Sequence, residues 1–289
     1  MIAIVSYVSV GAYDSNTVDE DKILSSILED LGIPHEIMPW SDSTVNWSKY
    51  SGLLIKSTWD YFDYYPEFLA WIEKIKKLEI PVWNDLDTVL WNSSKSYLKE
   101  IESKGFPVVS GIELKRGEKV SFEFLENKIA TDYWVVKPLV SGGAKNTLKF
   151  HKSDWDKVSQ KVQELVDQED FLIQPFIKEV QEVGEYSLLF FNGEFSHAVL
   201  KSPAKEDFRV QHYFGGTIHN INPSEEMKAS ALSLVQEFAS KSLYARVDGV
   251  DINGVFHLME LELIEPYLFL ALDEKAIPNY KRALAKRLL

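Results

Sequence analysis

The sequence predicts an α/β N-terminal domain, with helices packed on a parallel sheet, followed by an α+β region with antiparallel sheets. Two observations support this fold class. Strand and helix patterns alternate over roughly the first ninety residues, which is typical of a parallel sheet covered by helices. Farther along, β-rich runs flank Asn192-Gly193 and Asn253-Gly254, and Asn-Gly between two such runs is a strong hairpin signal.

The N-terminal elements follow from apolar periodicity and from helix end signals. The helix over Asp21–Leu31 places Ile23, Ile27, Leu28 and Leu31 on one face and ends before Gly32 and Pro34. Proline in the first turn favours a second helix, because its missing N–H costs little there. The predicted elements are strands Ile2–Tyr7, Glu36–Trp40 and Leu53–Ser57 and helices Asp21–Leu31 and Pro66–Leu78.

The rest of the chain carries longer apolar, β-rich runs between helices. Ser94 and Ser224 are suitable N-caps. The predicted strands are Tyr133–Val136, Phe171–Ile177 and Tyr186–Phe191, and the predicted helices are Ser94–Lys104, Ser153–Val166, Ser224–Lys241 and a basic segment from Pro278 onward.

Composition excludes several classes of function. The 289 residues carry a formal net charge of −13, and nucleic-acid binders are more often basic. The chain has no cysteine, which excludes disulfides, thiolate catalysis and thiolate-bound zinc. The apolar start lacks a basic flank and predicts a strand rather than a signal peptide. No apolar run reaches a membrane span, and we expect a cytoplasmic protein.

Acidic residues cluster on the second Asn-Gly hairpin, YARVDGVDINGVFHLMELE. A two-residue loop would set Asp248 across from Met259 and turn Glu260 to the opposite face. A three-residue loop, Ile252 to Gly254, would set Arg246 across from Glu260 and Asp248 across from Leu258. We favour the three-residue loop, because it places Arg246, Asp248, Glu260 and Glu262 on one face.

Carboxylates on one face repel each other unless a cation lies among them. Oxygen ligands without His or Cys suit Mg²⁺, which takes one or two protein carboxylates and completes its shell with water and phosphate oxygens. The hairpin therefore predicts a metal and nucleotide platform. A solvent-facing edge strand, on which Arg246 pairs the acids, is the alternative.

Lysines and small residues supply a second indication of phosphate binding. Lys137 closes an apolar strand, where an unpaired cation is unusual. The following Ser141-Gly142-Gly143-Ala144-Lys145 would allow backbone N–H groups to approach a phosphate, although a Gly-Gly pair by itself is more often a plain hairpin turn. Lys95 lies in the predicted first helical turn, where a cation opposes the helix dipole unless it reaches an anion.

Further candidates surround a strand that breaks at Pro175. Glu179 and Glu182 follow this strand and are candidates for hydrogen bonds to ribose hydroxyls, or else belong to a solvated loop. Lys201 and Arg209 are candidates for phosphate oxygens, which Arg binds bidentately.

The order of these features resembles the ATP-grasp superfamily, in particular its glutathione-synthetase-like and RimK-like ligases, over essentially the whole chain. The stretches STWDY, YARVD and ELELIEP resemble a subgroup that includes an O-ureido-serine cyclo-ligase of cycloserine biosynthesis. The resemblance implies a Rossmann-like pre-ATP-grasp domain over residues 1–92, an ATP-grasp central or lid subdomain over 93–183, and a C-terminal subdomain with the metal site over 184–289.

The resemblance also implies roles for individual residues. Two lysines would contact ATP phosphates, a mobile small-residue loop would cover them, and a strand exit would hold adenine through backbone groups. The acids would bind two Mg²⁺ ions, with Mn²⁺ as an alternative, and Glu262 departs from the family's usual Asn. The implied nucleotide residues are Lys95, Lys137, Ser141, Gly142, Gly143, Gln174, Pro175, Phe176, Ile177, Glu179 and Glu182; the implied metal ligands are Asp248, Glu260 and Glu262; the implied catalytic residues are Lys201, Arg209 and Arg246.

The activity implied is an ATP-dependent, ADP-forming carboxylate–amine ligase that acts on a small amino acid or peptide through an acyl phosphate. An intramolecular cyclo-ligase, a phosphotransferase and a nucleotide-binding module without catalysis are the alternatives. We expect the substrate near residues 9–14 and 56–61, at the carboxyl ends of two strands, with Trp59 and Asp60 as candidate contacts. We expect no nucleic-acid or membrane partner, and the family resemblance allows a homodimer.

Overall fold

The structure is a computed structural model that describes residues 1–8, 19–204 and 215–289. Its first layer is a four-stranded parallel sheet in the order β2-β1-β3-β4. Helix α1 begins after Asp19, whose side chain accepts from the backbone N–H of Lys22, and α2 has a proline in its first turn. The elements are β1 Ile2–Ser6, α1 Glu20–Asp30, β2 His35–Pro39, β3 Gly52–Ser57, α2 Tyr65–Lys76, β4 Val82–Trp83 and α3 Leu86–Asn92. The predicted parallel α/β layer is confirmed.

The central segment forms a four-stranded antiparallel sheet in the order β5-β8-β6-β7. Its first helix begins at Tyr97, later than predicted, so that Lys95 precedes the helix. The backbone N–H of Lys95 instead donates to the carbonyl of Leu139. The elements are α4 Tyr97–Ser103, β5 Ile112–Leu114, α5 Phe122–Lys128, β6 Tyr133–Pro138, β7 Leu148–His151, α6 Trp155–Val166, β8 Phe171–Pro175 and α7 Lys178–Glu182.

The C-terminal segment forms a five-stranded antiparallel sheet in the order β11-β10-β9-β12-β13. Both Asn-Gly pairs form the predicted hairpin turns, and all four turn residues have positive φ. Ser224 caps α8 by accepting from the backbone N–H of Met227. The elements are β9 Glu185–Phe191, β10 Glu194–Ser202, β11 Thr217–Ile221, α8 Glu225–Phe238, β12 Tyr244–Ile252, β13 Val255–Glu262 and α9 Ala276–Leu288.

The register of the acidic hairpin differs from our expectation. Ile252 pairs with Val255, so the loop has two residues, and the three-residue loop that we favoured is wrong. A bulge near Met259 then shifts the register, so that Asp248 lies across from Glu260 and Arg246 across from Glu262. Because a bulge adds one residue to one strand, the four charged side chains still share a face.

Buried polar side chains join the parallel sheet to the acidic hairpin. Asn84 accepts from the N–H of Leu243 and donates to the carbonyl of Leu263, and Asn92 accepts from the N–H of Leu263 and donates to the carbonyl of Leu261. These bonds satisfy backbone groups that burial would otherwise leave unpaired, and they fix the hairpin against the first layer. The three sheets follow one another along the chain, whereas the domain bounds at 92 and 183 remain predictions.

None of the helices in the described ranges is both long and apolar enough to cross a membrane.

Candidate active site

A cavity of about 930 Å³ opens where the three sheets meet. One wall carries the acidic hairpin, a second carries β6 with the small-residue loop after it, and a third carries residues that follow β3. A cleft of this volume is within the range of small-ligand sites. The predicted site residues that line it are Lys95, Lys137, Ser141, Gly142, Gly143, Gln174, Pro175, Phe176, Ile177, Lys201, Arg246, Asp248, Glu260 and Glu262.

The charged face of the hairpin is a network of ion pairs. The guanidinium of Arg246 bonds to Asp248, with Nε 3.1 Å from Oδ1, and also to Glu262. Lys201 Nζ lies 2.9 Å from Asp248 Oδ2 and 2.5 Å from Glu185 Oε1. Asp248 is 2% exposed, whereas Glu260 and Glu262 are 29% and 25% exposed. Glu260 and Glu262 are therefore the acids that a ligand in the cleft reaches first.

Burial and neighbouring charges give these acids different proton affinities. Burial raises the pKa of Glu262 to about 7, although Arg246 opposes the shift. Burial also acts to raise the pKa of Asp248, but Arg246 and Lys201 outweigh it and hold that pKa well below its usual range. For Glu260, Lys95 and Lys137 outweigh burial in the same way and lower the pKa. Asp248 and Glu260 are thus ionised at neutral pH, and Glu262 is poised between its two forms.

The two predicted phosphate lysines lie beside Glu260. Lys95 Nζ is 2.7 Å from Glu260 Oε1 and donates to the carbonyl of Ser141 at 2.8 Å. Burial lowers the pKa of Lys137, because the ammonium loses water and its charge is only partly offset by Glu260. Both cations therefore face the cleft from β6 and from the segment before α4, where an anionic ligand would stabilise them.

The small-residue loop, residues 141–146, lies against the first layer. A Cβ added to Gly142 would be 2.5 Å from Cε1 of Phe62, so any larger residue here would require the Phe62 ring to move. Lys145 forms an ion pair with Asp63. Gly143, Ala144 and Asn146 have positive φ. Turns that contain residues with such left-handed backbone angles direct successive backbone N–H groups to one side.

One end of the cleft is apolar. Its lining residues there are Val109, Val135, Phe176, Ile177, Val180 and Met259. Gln174 closes this end by donating its side-chain N–H to the carbonyl of Val109. An apolar slot with backbone groups at the end of a strand suits a flat, weakly polar ring system.

Two predicted ribose contacts lie outside the cleft. Glu179 and Glu182 belong to α7, because the chain turns into a helix directly after Ile177. Glu185, the first residue of β9, lines the cleft instead. The sequence signal for Glu185 was an acid at the start of an apolar strand, which we did not single out.

The remaining predicted contacts have mixed outcomes. Trp59 lines the cleft and donates its indole N–H to the carbonyl of Glu265 at 2.9 Å. Asp60 lies away from the cleft and accepts from Trp40 Nε1 at 2.6 Å. Arg209 and residues 9–14 lie outside the described residues.

A metal ion would share these acids with their present cations. Within the ranges that the structure describes, no three His, Cys, Asp or Glu side chains are grouped closely enough to hold an ion by themselves. Mg²⁺ needs only one or two carboxylates when phosphate oxygens complete its shell, and Glu260 and Glu262 supply hard oxygens on the open side. The donor set therefore fits a metal that arrives with a nucleotide.

A family model described as the ATP-grasp domain of prokaryotic glutathione synthetase matches residues 116–276, which is more than half of the chain. The chain belongs to the ATP-grasp family. A second model, described as the N-terminal domain of D-cycloserine synthetase DcsG, matches residues 2–84 of this ATP-grasp chain.

Known proteins resemble this ATP-grasp chain along its whole length. It is 27% identical over 270 residues to the cycloserine biosynthesis protein DcsG of Streptomyces lavendulae, covering 89% of this chain and 90% of that protein. The crystal structure of D-cycloserine synthetase DcsG superposes with a TM-score of 0.86 at 26% identity, over 100% of this chain and 99% of that one. The structure of D-alanine–D-alanine ligase from Bacillus anthracis complexed with ATP shares the fold, with a TM-score of 0.68 at 18% identity over 99% and 97% of the two chains.

The chain is thus an enzyme, a ligase of the ATP-grasp family. Its fold implies the use of ATP and a divalent metal ion.

Proposed function

We propose that this enzyme is an ADP-forming ligase that activates the carboxylate of a small amino acid or peptide as an acyl phosphate and joins it to an amine. One observation carries the proposal: two lysines and the hairpin acids converge on one stretch of the cleft, between an apolar slot and the residues after β3. That arrangement suits a triphosphate that bridges a ring site and an acceptor site.

The shape and charge of the cleft support a position for the nucleotide. Adenine fits the apolar slot lined by Phe176, Ile177 and Met259. The phosphates of the nucleotide then lie between Lys137 and Lys95 on one side and the small-residue loop on the other. Ribose falls near Glu185, whose carboxylate is fixed by Lys201.

Phosphoryl transfer depends on positioning and charge neutralisation more than on a side-chain nucleophile. A substrate carboxylate oxygen attacks the γ-phosphorus and ADP leaves; an amine nitrogen then attacks the acyl carbon, phosphate leaves, and the amine loses a proton. Lys95 and Lys137 stabilise the charge that develops on the phosphoryl oxygens. Arg246 holds Glu262 in place, and the loop over residues 141–146 excludes water from the acyl phosphate.

The proposed metal ligands are Glu260, Glu262 and Asp248. Two Mg²⁺ ions, or Mn²⁺, would neutralise phosphate charge there. Glu260 and Glu262 are paired with Lys95 and Arg246 in the structure, so these two cations would have to give up part of their contact with the acids if a metal ion were bound. Lys95 would then be available to a phosphate oxygen. Arg209 stays a prediction as a further phosphate contact.

An intramolecular cyclo-ligase is the second candidate. The similarity to DcsG favours a cyclo-ligase, because it extends over both chains and DcsG is named for cycloserine biosynthesis. In that reaction the attacking nitrogen and the activated carboxylate belong to one molecule.

The test is ADP and free phosphate release with Mg·ATP across amino acids, dipeptides and O-ureido-serine. Glu260→Gln should lower the rate about a hundredfold or more, the size expected for lost stabilisation of transition-state charge. Glu274→Gln, an exposed acid outside the cleft, is the matched control and should retain the wild-type rate. A ligase frees phosphate, whereas a phosphotransferase leaves it on the product.

If no compound stimulates release and Mg·ATP leaves the melting temperature unchanged, the cleft is not a nucleotide site and the proposal is wrong. A homodimeric assembly and a cytoplasmic location also remain predictions.

A further inference from the structure

Glu265 differs from every other acid that lines the described part of the cleft. Asp248, Glu185, Glu260 and Glu262 each form an ion pair with a lysine or an arginine. The carboxylate of Glu265 has neither a hydrogen-bond nor an ion-pair partner among the residues that the structure describes. A carboxylate in a partly buried site normally has a partner, so this one is available to a ligand.

The backbone around Glu265 is tightly held by other parts of the chain. The carbonyl of Glu265 accepts from the indole of Trp59, and the carbonyl of Ile264 accepts from the hydroxyl of Tyr244 at 2.7 Å. On the other side, the carbonyl of Pro266 accepts from Lys56 Nζ at 3.2 Å. Because three neighbouring carbonyl groups are fixed, the backbone that carries Glu265 is ordered before any ligand binds, and only its side chain remains to be ordered on binding.

Several aromatic side chains line the same cleft as Glu265. The rings of Trp59, Tyr61, Phe62, Tyr267 and Phe269 line the cleft. The hydroxyl of Tyr61 has no hydrogen-bond partner among the described residues, and burial, followed by the charge of Glu265, raises its pKa well above its usual value. Tyr61 and Glu265 thus line one cleft, close enough for the charge of Glu265 to act on the Tyr61 hydroxyl.

Two cations, Lys95 and Arg246, act on Glu265 from a distance and lower its pKa, but neither forms an ion pair with it, and they do not offset its burial. Burial raises its pKa to about 8, and the negative charge of Glu262 adds to this effect. A cation bound beside Glu265 would favour the ionised form. An ammonium group matches the site in three respects: it carries the missing charge, donates three hydrogen bonds, and interacts favourably with aromatic faces.

We propose that Glu265, together with the Tyr61 hydroxyl, binds the ammonium group of the substrate, so that the cleft selects carboxylates that carry a free amine. This inference rests on the proposed function. It makes Glu265 a specificity-determining residue that lies three positions beyond the metal-binding Glu262.

Binding measurements test the inference without turnover. Isothermal titration in the presence of Mg²⁺ and AMP-PNP would compare alanine with lactate, serine with glycerate, and both enantiomers of O-ureido-serine with the corresponding α-hydroxy acid. Loss of one partner of a buried charge pair weakens binding about 30-fold or more. The wild type should therefore prefer at least one amino acid over its hydroxy acid by about that factor.

Variants of Glu265 and Tyr61 separate a role in binding the amine from a role in binding the metal ion. Glu265→Gln should abolish the preference for the amine, Tyr61→Phe should reduce it, and the control Glu274→Gln should keep it. Glu265→Asp provides a second variant that retains the charge if the glutamine variant does not fold, and it should keep part of the preference. The Mg²⁺ dependence of AMP-PNP binding should be the same in all of them.

Several results would overturn the inference: equal binding of amino and hydroxy acids by the wild type, a preference that survives in Glu265→Gln, or no binding by any compound of the panel. A changed Mg²⁺ dependence with an intact preference would assign Glu265 to the metal instead. An amine preference without any ADP release would refute the ligase proposal and leave the role of Glu265 standing.

Discussion

A fully buried ion pair joins the first layer to the segment that carries Glu265. Lys56 Nζ lies 3.0 Å from Glu20 Oε2, and the side chains of the pair are 0% and 1% exposed. The carboxylate of Glu20 also accepts from the backbone N–H groups of Leu268 and Leu270 at 2.8 and 3.0 Å. We predict that Lys56→Met destabilises the protein and disturbs the substrate end of the cleft together.

The magnitude follows from the burial of the pair. Removal of one partner of a buried ion pair leaves an uncompensated charge and costs about 3–5 kcal/mol. The remaining N–H donors still bind Glu20, so we expect about 3 kcal/mol. A chain of this size changes its melting temperature by about 2 °C per kcal/mol, which predicts a decrease of about 6 °C.

Thermal and denaturant unfolding of three variants measure this effect. Lys56→Met/Glu20→Gln removes both charges and should be more stable than Lys56→Met alone. Lys76→Met breaks the exposed pair with Asp87 and should cost less than about 1 kcal/mol.

Substrate binding provides the functional measurement, because Lys56 also holds the carbonyl of Pro266. Lys56→Met should raise KM for the carboxylate substrate more than KM for ATP. The reasoning is refuted if Lys56→Met costs no more than Lys76→Met, or if removing Glu20 as well recovers no stability.

Three further predictions concern the loop, the proton affinity of the cleft and the contact between layers. Gly142→Ala should lower the rate of ADP formation, because the new Cβ would be 2.5 Å from Phe62. Combining Gly142→Ala with Phe62→Leu should recover part of the rate. A wild-type rate in Gly142→Ala alone would contradict the close approach. The pKa of Glu265 is raised from 4.5 to about 8, so the folded protein keeps a proton that the unfolded chain releases, and stability should fall as pH rises through this window. Unfolding of Glu265→Gln between pH 5 and 8 should show a shallower decrease than the wild type, and parallel curves would contradict the assignment. Asn84→Ala leaves buried backbone groups without partners and should lower the free energy of unfolding by about 1–3 kcal/mol for each unpaired group. Denaturant unfolding measures this loss. A total loss below about 1 kcal/mol would show that the segments rearrange.

Local patterns in the sequence determined most of the fold. Apolar periodicity located the parallel layer, and the two Asn-Gly pairs located the hairpins, because turn geometry depends on the few residues that tolerate positive φ. The same local chemistry made Lys95, Lys137 and the hairpin acids candidates, and the structure brings them to one cleft. The sequence could not tell whether Glu179 and Glu182 follow the strand as a loop or as a helix, because the segment is compatible with both, and in the structure they lie in a short helix that does not line the cleft.

The tertiary structure decided what depends on contacts between distant segments. The bulge near Met259, which returns Glu260 to the charged face, arises from pairing along the whole hairpin and leaves no local signature. Lys56 and Glu20 are separated by 36 residues, and their ion pair exists only after the first layer forms. Glu265 became a candidate only when the structure showed which acids in the cleft have partners. A sequence records which side chains can ionise, whereas burial and the distance to opposite charges, which only the folded chain sets, decide which of them remain available to a ligand.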